Sequence, residues 1–293
     1  MGFVKIKMKK KAVIISIKGF RLSKGEIQLL TNEKPWGVIL FKRNIKSLQQ
    51  IKDLTKKIRK ISKDSKLPIL IDEEGDTVSR LRKILKNSFS QKFLGDIYSI
   101  NRQLGQSLYK KYLRKLFKIL KMIGVNINTV PVLDVLRETT SKVIGNRSFS
   151  YDPKIVKELG QFCVNQYKLN KLGTVIKHIP GHGCASSDSH LMMPKVNLNL
   201  NTLNYIDFEP FKQNRSRFAM TAHILYKKID NKYVATFSKK IVKNIIRKKI
   251  GFKGILISDD ISMKALKYDI LKNAKMSLSA GCNIVLYCGA NFK

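Results

Sequence analysis

The sequence predicts an α/β protein folded as one (β/α)8 TIM-like barrel, on three observations. Short runs rich in β-branched residues recur from end to end, longer charged stretches with helical spacing separate them, and 293 residues suit a fold that typically takes about 250. The runs fall at residues 12–17, 37–41, 69–72, 125–130, 174–177, 218–222, 254–258 and 283–287. Eight of them exceed what an open doubly wound sheet usually contains. Between the second and third, Leu48, Ile51, Leu54, Ile58 and Ile61 recur at three- and four-residue intervals, as in a helix with one buried face. Ser238 or Thr236 is placed to cap a helix over residues 241–250. No Pro/Ser-rich linker, low-complexity tract or repeat divides the chain, so residues 1–293 read as one domain. Only residues 288–293 follow the last run, so the final barrel helix is expected to be short or absent.

The composition, 43% hydrophobic, allows a substantial core. A formal charge of +38 raises the possibility of a nucleic-acid partner. The basic residues are spread over nearly every segment, as solvated helix faces are, and no helix-turn-helix, zinc-finger or RNA-binding sheet motif accompanies them. The expectation is therefore no nucleic-acid partner. Cys163, Cys184, Cys282 and Cys288 form no CxxC pair, which points to reduced thiols and a cytoplasmic location. The apolar stretch near the N-terminus is short and meets Lys18, so it reads as a first strand; no run approaches the roughly 20 residues of a membrane span.

Titratable residues lie directly after five of the runs: Asp72-Glu73-Glu74, Asn146-Arg147, Lys177-His178 through His190, His223, and Asp259-Asp260. In a parallel barrel the C-terminal strand ends share one face, where residues distant in sequence converge on one substrate. The segment KHIPGHGCASSDSH, residues 177–190, carries Pro180, Gly181 and Gly183, so it is expected to form a long loop. In an extended stretch Asp188 and His190 leave on the same side, close enough for the carboxylate to orient the imidazole. In GFKGILISDDISM, residues 251–263, a buried strand is expected to end in two carboxylates before a new helix. Asp259 is the better placed of the two to face the barrel mouth, while Asp260 or Ser262 suits an N-cap. Taken singly, an Arg or Lys is most often a solvated ion-pair partner and a lone His a satisfied core residue.

These residues carry a resemblance. IIRKKIGFKGILISDDIS, residues 245–262, resembles the active-site signature of glycoside hydrolase family 3, in which the Asp after Ser at the strand end is the nucleophile; here that is Asp259. The KHIPGHG…DSH segment is similar to that of the family's bacterial β-N-acetylhexosaminidases, whose loop Asp-x-His dyad replaces the usual carboxylic acid; here the dyad is Asp188 and His190. WGVILFKRN, IDEEGDTVSRLR, GNRSFS and MTAH extend the resemblance over most of the chain. It implies sugar contacts at Asp72, Arg80, Arg147, Lys177 and His178, a covalent retaining mechanism, no cofactor or metal, and a small carbohydrate substrate. That substrate is a terminal β-linked N-acetylglucosamine on peptidoglycan fragments, taken by a monomeric cytoplasmic enzyme. The chain departs from the pattern in three places: Glu73-Glu74-Gly75-Asp76-Thr77 stands where Gln-Glu-Gly-Gly-Arg is usual, Cys184 replaces an Asp, and the C-terminus is shorter. The first departure puts two extra negative charges beside the expected sugar site. Two other readings remain at this stage: a metal-dependent hydrolase built on His178, His182, His190 and Asp188, and the basic nucleic-acid-binding protein.

Overall fold

The computed structural model describes residues 10–86, 89–186 and 193–291. Its strands are β1 (Lys11–Ser16), β2 (Pro35–Leu40), β3 (Ile69–Ile71), β4 (Ile127–Asn128), β5 (Gly173–Ile179), β6 (Lys195–Val196), β7 (Phe218–Thr221), β8 (Leu225–Tyr226), β9 (Ile255–Asp260) and β10 (Ile284–Tyr287). Eight of them close into a barrel in the order β1-β10-β9-β7-β5-β4-β3-β2, every neighbouring pair parallel. Each of the eight expected runs overlaps one barrel strand. β6 and β8 pair apart from the barrel as a two-residue ribbon.

Strand alternation sorts the apolar side chains into two cores. Ile14, Ile39, Leu70, Ile127, Val175, Met220, Ile257, Ile284 and Leu286 fill the barrel interior, every strand contributing at least one. Their chain neighbours Ile15, Val38, Ile69, Ile71, Ile176, Ala219 and Leu256 point outward into the larger core beneath the helices. Each buried Ile or Leu contributes roughly 1.5–3 kcal/mol, so the closed barrel is a packed core and not a channel.

The helices are α1 (Lys24–Asn32), α2 (Leu48–Ile61), α3 (Gln91–Ile100), α4 (Arg102–Met122), α5 (Pro153–Leu169), α6 (Leu200–Tyr205) and α7 (Ile270–Ala280). Most begin as their sequences dictate. Ser23 and Glu26 form a reciprocal capping box on α1, and Asp152 followed by Pro153 opens α5. In α2, Ile51, Leu54 and Ile58 are buried, as their spacing requires. A further helix, Ile241–Lys249, closes with the wider five-residue step, the Ile250 amide reaching the Ile245 carbonyl. Ser238 accepts the Ile241 amide at its start, whereas Thr236 is turned inward to His223.

One expected element differs. No helix follows Asp260 directly; a turn intervenes and α7 begins at Ile270, capped by Asp269. The Asp260 carboxylate instead accepts the Ser262 amide and hydroxyl and the Cys288 amide, tying the ends of β9 and β10 together. Such local bonds from Asp compete with helix continuation. Among the described residues no helix follows β10. No described helix is long and apolar enough to cross a membrane, and the four cysteines form no disulfide.

Candidate active site

The C-terminal ends of β3, β5, β7 and β9 surround a cavity of about 400 Å³. Asp72, Arg80, Arg147, Lys177, His178 and Asp259 all line it, although they come from segments up to 187 residues apart. Six of the eight residues singled out from sequence therefore share one cavity. The other two, Asp188 and His190, lie outside the described residues.

A lattice of opposed charges organises the cavity. Asp72 follows β3 and accepts hydrogen bonds from Arg80 Nη2 at 3.1 Å, Lys177 Nζ at 3.4 Å and the Thr129 hydroxyl. Burial alone would raise its pKa, but the neighbouring Lys177 and Arg80 charges hold it well below the usual carboxylate range. Glu74, two residues on, grips Arg147 through both carboxylate oxygens, at 2.8 and 3.0 Å, and also contacts the Lys177 ammonium. Its pKa falls to about 2 despite burial because Arg147 and Lys177 outweigh desolvation. Arg147 is raised in turn, chiefly by Glu74 acting against burial. Two cations that would be costly to bury alone are thus held rigid and desolvated, facing any ligand that enters.

His178 is fixed by Asp134, a fully buried residue after β4. One Asp134 oxygen takes the His178 ring Nδ1 at 2.7 Å; the other accepts the backbone amides of His178 and His182, at 3.2 and 2.6 Å. An imidazole whose Nδ1 donates to a carboxylate keeps Nε2 for the cavity it lines. The backbone here carries cis peptide bonds at Lys177-His178 and Ile179-Pro180, and pairing with β7 slips by one residue. His182, also in the lining, is lowered to about 4 by burial and is neutral at pH 7.

Asp259 sits at the end of β9 and makes few bonds. Among the described residues its carboxylate accepts one hydrogen bond, from the Asp260 amide at 2.8 Å. Burial would raise its pKa, but His223, His178, that amide and Lys177 together bring it below the ordinary value, so it is ionised at neutral pH. His223 backs it from β7. Its Nε2 lies 3.0 Å from the Asp260 carbonyl and must carry the proton; Nδ1 then accepts from Thr236 at 2.7 Å. Burial lowers the His223 pKa, consistent with this neutral tautomer.

The extra negative charges expected beside the site are turned away from it. Glu73 is buried and accepts the Arg80 and Leu81 amides and the Ser79 hydroxyl, and so latches its own loop. Asp76 pairs with Arg82 outside the cavity, and of the substituted positions only Thr77 joins the lining. Sequence reasoning missed Glu74, Asp134 and Thr129 as site residues, though Glu74 stood in the acidic run after β3. Among the described residues no three His, Cys, Asp or Glu side chains converge to hold a metal ion; two members of the proposed histidine cluster, Asp188 and His190, fall outside them.

A parallel barrel whose C-terminal mouth gathers an ionised carboxylate at a strand end with a fixed Arg/Lys/His array is the architecture of a barrel hydrolase. Residues 6–293 match the glycosyl hydrolase family 3 N-terminal domain. The chain belongs to glycoside hydrolase family 3 and is a glycoside hydrolase. It is 35% identical over 282 residues to a beta-hexosaminidase of Neisseria meningitidis serogroup C, covering 94% of this chain and 77% of that protein. It is also similar to the crystal structure of NagZ from Neisseria gonorrhoeae in complex with N-trifluoroacetyl-D-glucosamine, with a TM-score of 0.88, 33% identity and coverage of 96% and 82% of the two chains. A family 3 beta-N-acetylglucosaminidase from Paenibacillus sp. FPU-7 aligns with a TM-score of 0.86 at 26% identity, over 94% of this chain and 53% of that one.

Proposed function

We propose that the chain is a retaining β-N-acetylglucosaminidase, one catalytic barrel over residues 1–293, that removes terminal β-linked N-acetylglucosamine from peptidoglycan fragments in the cytoplasm. It acts as a monomer and without a cofactor. The observation that carries this reading is the contrast between two ionised carboxylates in one cavity. Asp72 is saturated by Arg80, Lys177 and Thr129, while Asp259, which lines the same cavity, accepts among the described residues only the Asp260 amide. A carboxylate that is ionised and not committed to neighbouring donors is the one free to act as nucleophile at C1.

In this mechanism Asp259 displaces the leaving group at C1 and forms a glycosyl-enzyme, while His190, oriented by Asp188, protonates the departing oxygen. His190 then takes a proton from water as it attacks C1, which releases the sugar with its β configuration and frees Asp259. Asp72, Arg80, Arg147, Lys177 and His178 hold the sugar's hydroxyls and acetamide. Similarity to a protein crystallised with an N-acylated glucosamine supports the choice of sugar. The test is direct. NMR of the first product from an aryl N-acetylglucosaminide should show the β anomer, and a C2-hydroxyl analogue should react far more slowly. Initial release of the α anomer, or near-wild-type turnover by Asp259→Asn, would sink the assignment.

A further inference from the structure

A second cavity, of about 660 Å³, opens at the other mouth of the barrel, on the N-terminal ends of β3, β4, β5 and β7. Five cations border it: Lys66, Lys168, Lys171, Arg215 and Arg217. Among the described residues no carboxylate is in its lining, and none of the five side chains makes an ion pair or hydrogen bond. Asp64, close in sequence, is already engaged by Lys10 and by the Lys66 backbone amide. Lysine is abundant throughout the chain, so a local excess of charge does not by itself mark a site. Lys168 also lies in the last turn of α5, where a cation complements the helix dipole. Neither point accounts for Arg215 and Arg217 beside Lys66, which reach the same space from two other loops.

The interior of the cavity differs from its rim. Ile127, Leu172 and Phe218 supply apolar wall, and Arg215 also borders an adjoining recess of about 340 Å³ with the amides of Gln161, Asn165 and Gln213. Like charges gathered around a concavity with apolar walls repel one another and focus a positive potential into it, a cost that a bound anion relieves. The size lies in the range of small-ligand sites, whereas an extended nucleic acid needs a long open stripe.

We propose that this cavity is a binding site for a small phosphate-bearing ligand with an apolar or planar body, held by Lys66, Lys171, Arg215 and Arg217 and separate from the glycosidase cavity. ADP is a suitable probe. Calorimetric titration of the full chain in about 0.1 M sodium chloride, where surface attraction beyond roughly 10 Å is screened, is expected to give one saturable site. Arg215→Gln/Arg217→Gln should weaken it by about tenfold or more and Lys66→Gln/Lys171→Gln by about threefold, since Arg offers phosphate a bidentate fork and Lys only a point charge. Both variants should keep the wild-type melting temperature without ADP to within a few degrees, and ADP should leave hydrolysis of an aryl N-acetylglucosaminide unchanged. The proposal is overturned by the absence of saturable binding, by equal affinity in the double arginine variant, or by competition between ADP and the aryl sugar. Tight binding of a uridine 12-mer with none of ADP would also overturn it and assign the basic surface to RNA.

Discussion

At the C-terminal mouth of the barrel the cations Arg147 and Lys177 meet Glu74 and Arg80 meets Asp72, whereas at the N-terminal mouth five Lys and Arg side chains border a cavity with no acid among the described residues of its lining. The chain has only 20 acidic residues against 58 basic ones. Asp72, Glu73, Glu74, Asp134, Asp259 and Asp260 nevertheless stand in or directly behind one cavity. Excess positive charge is tolerated where water solvates it. The acids are spent where a buried cation, an imidazole or a loop of backbone amides has no other partner.

The contrast can be broken in graded steps. The largest effect is expected from Asp259→Asn, which should lower kcat by about 10³-fold or more with little loss of stability, because that carboxylate makes almost no structural bond. Stopped-flow release of an aryl leaving group measures it, and a drop of less than tenfold would place the nucleophile elsewhere. Glu74→Gln strikes the balance itself. Leaving Arg147 buried without its counter-charge, and Lys177 with Asp72 alone, should cost about 3–5 kcal/mol of unfolding free energy. Urea denaturation reads this out, and a loss below about 1 kcal/mol would mean that water already screens the pair.

A smaller effect follows from protonation at the same mouth. His182 has its folded pKa depressed to about 4, so it contributes stability that is complete above its unfolded value near 6.5 and is lost as pH falls towards 4. Asp207, a fully buried residue that packs on Gly181 and pairs with Arg137, is raised to about 6 by burial against that charge and acts in the opposite direction: its contribution is complete below about 3.8 and fades as pH rises through 6. Urea midpoints measured from pH 7 to pH 4 should therefore decline, less steeply in His182→Gln and more steeply in Asp207→Asn. Parallel curves in all three proteins would contradict both assignments. The smallest effect belongs to the other mouth, where Arg215→Gln/Arg217→Gln should leave kcat/KM on an aryl N-acetylglucosaminide within about twofold, since neither residue approaches the catalytic cavity.

How much of this was legible in the sequence follows from the range of the interactions. The eight strands were readable because β-branched runs and their punctuation are local, and the α2 face because its period is local. Asp72, Arg147, Lys177, His178 and Asp259 stood out because barrel geometry places strand ends together, whereas Arg80, and the sugar-binding role of all but Asp259, came only from the family resemblance. Glu74 and Asp134 were not, since their roles depend on Arg147 and His178, which lie 73 and 44 positions away. The two-residue strands β6 and β8 are too short to leave a pattern. The helix expected after Asp260 failed because its side chain bonds across to Cys288, a partner that no local window contains.

The Asp134 carboxylate holds one ring nitrogen and two backbone amides, so it rivets residues 178–182 to the barrel, and further bonds from Thr140 and Ser141 tack down Gly183 and Ala185. Exchange of residues 186–193 for a sequence of different length should therefore leave the His178 ring in its seat, because the bonds that hold it come from Asp134 and not from those residues.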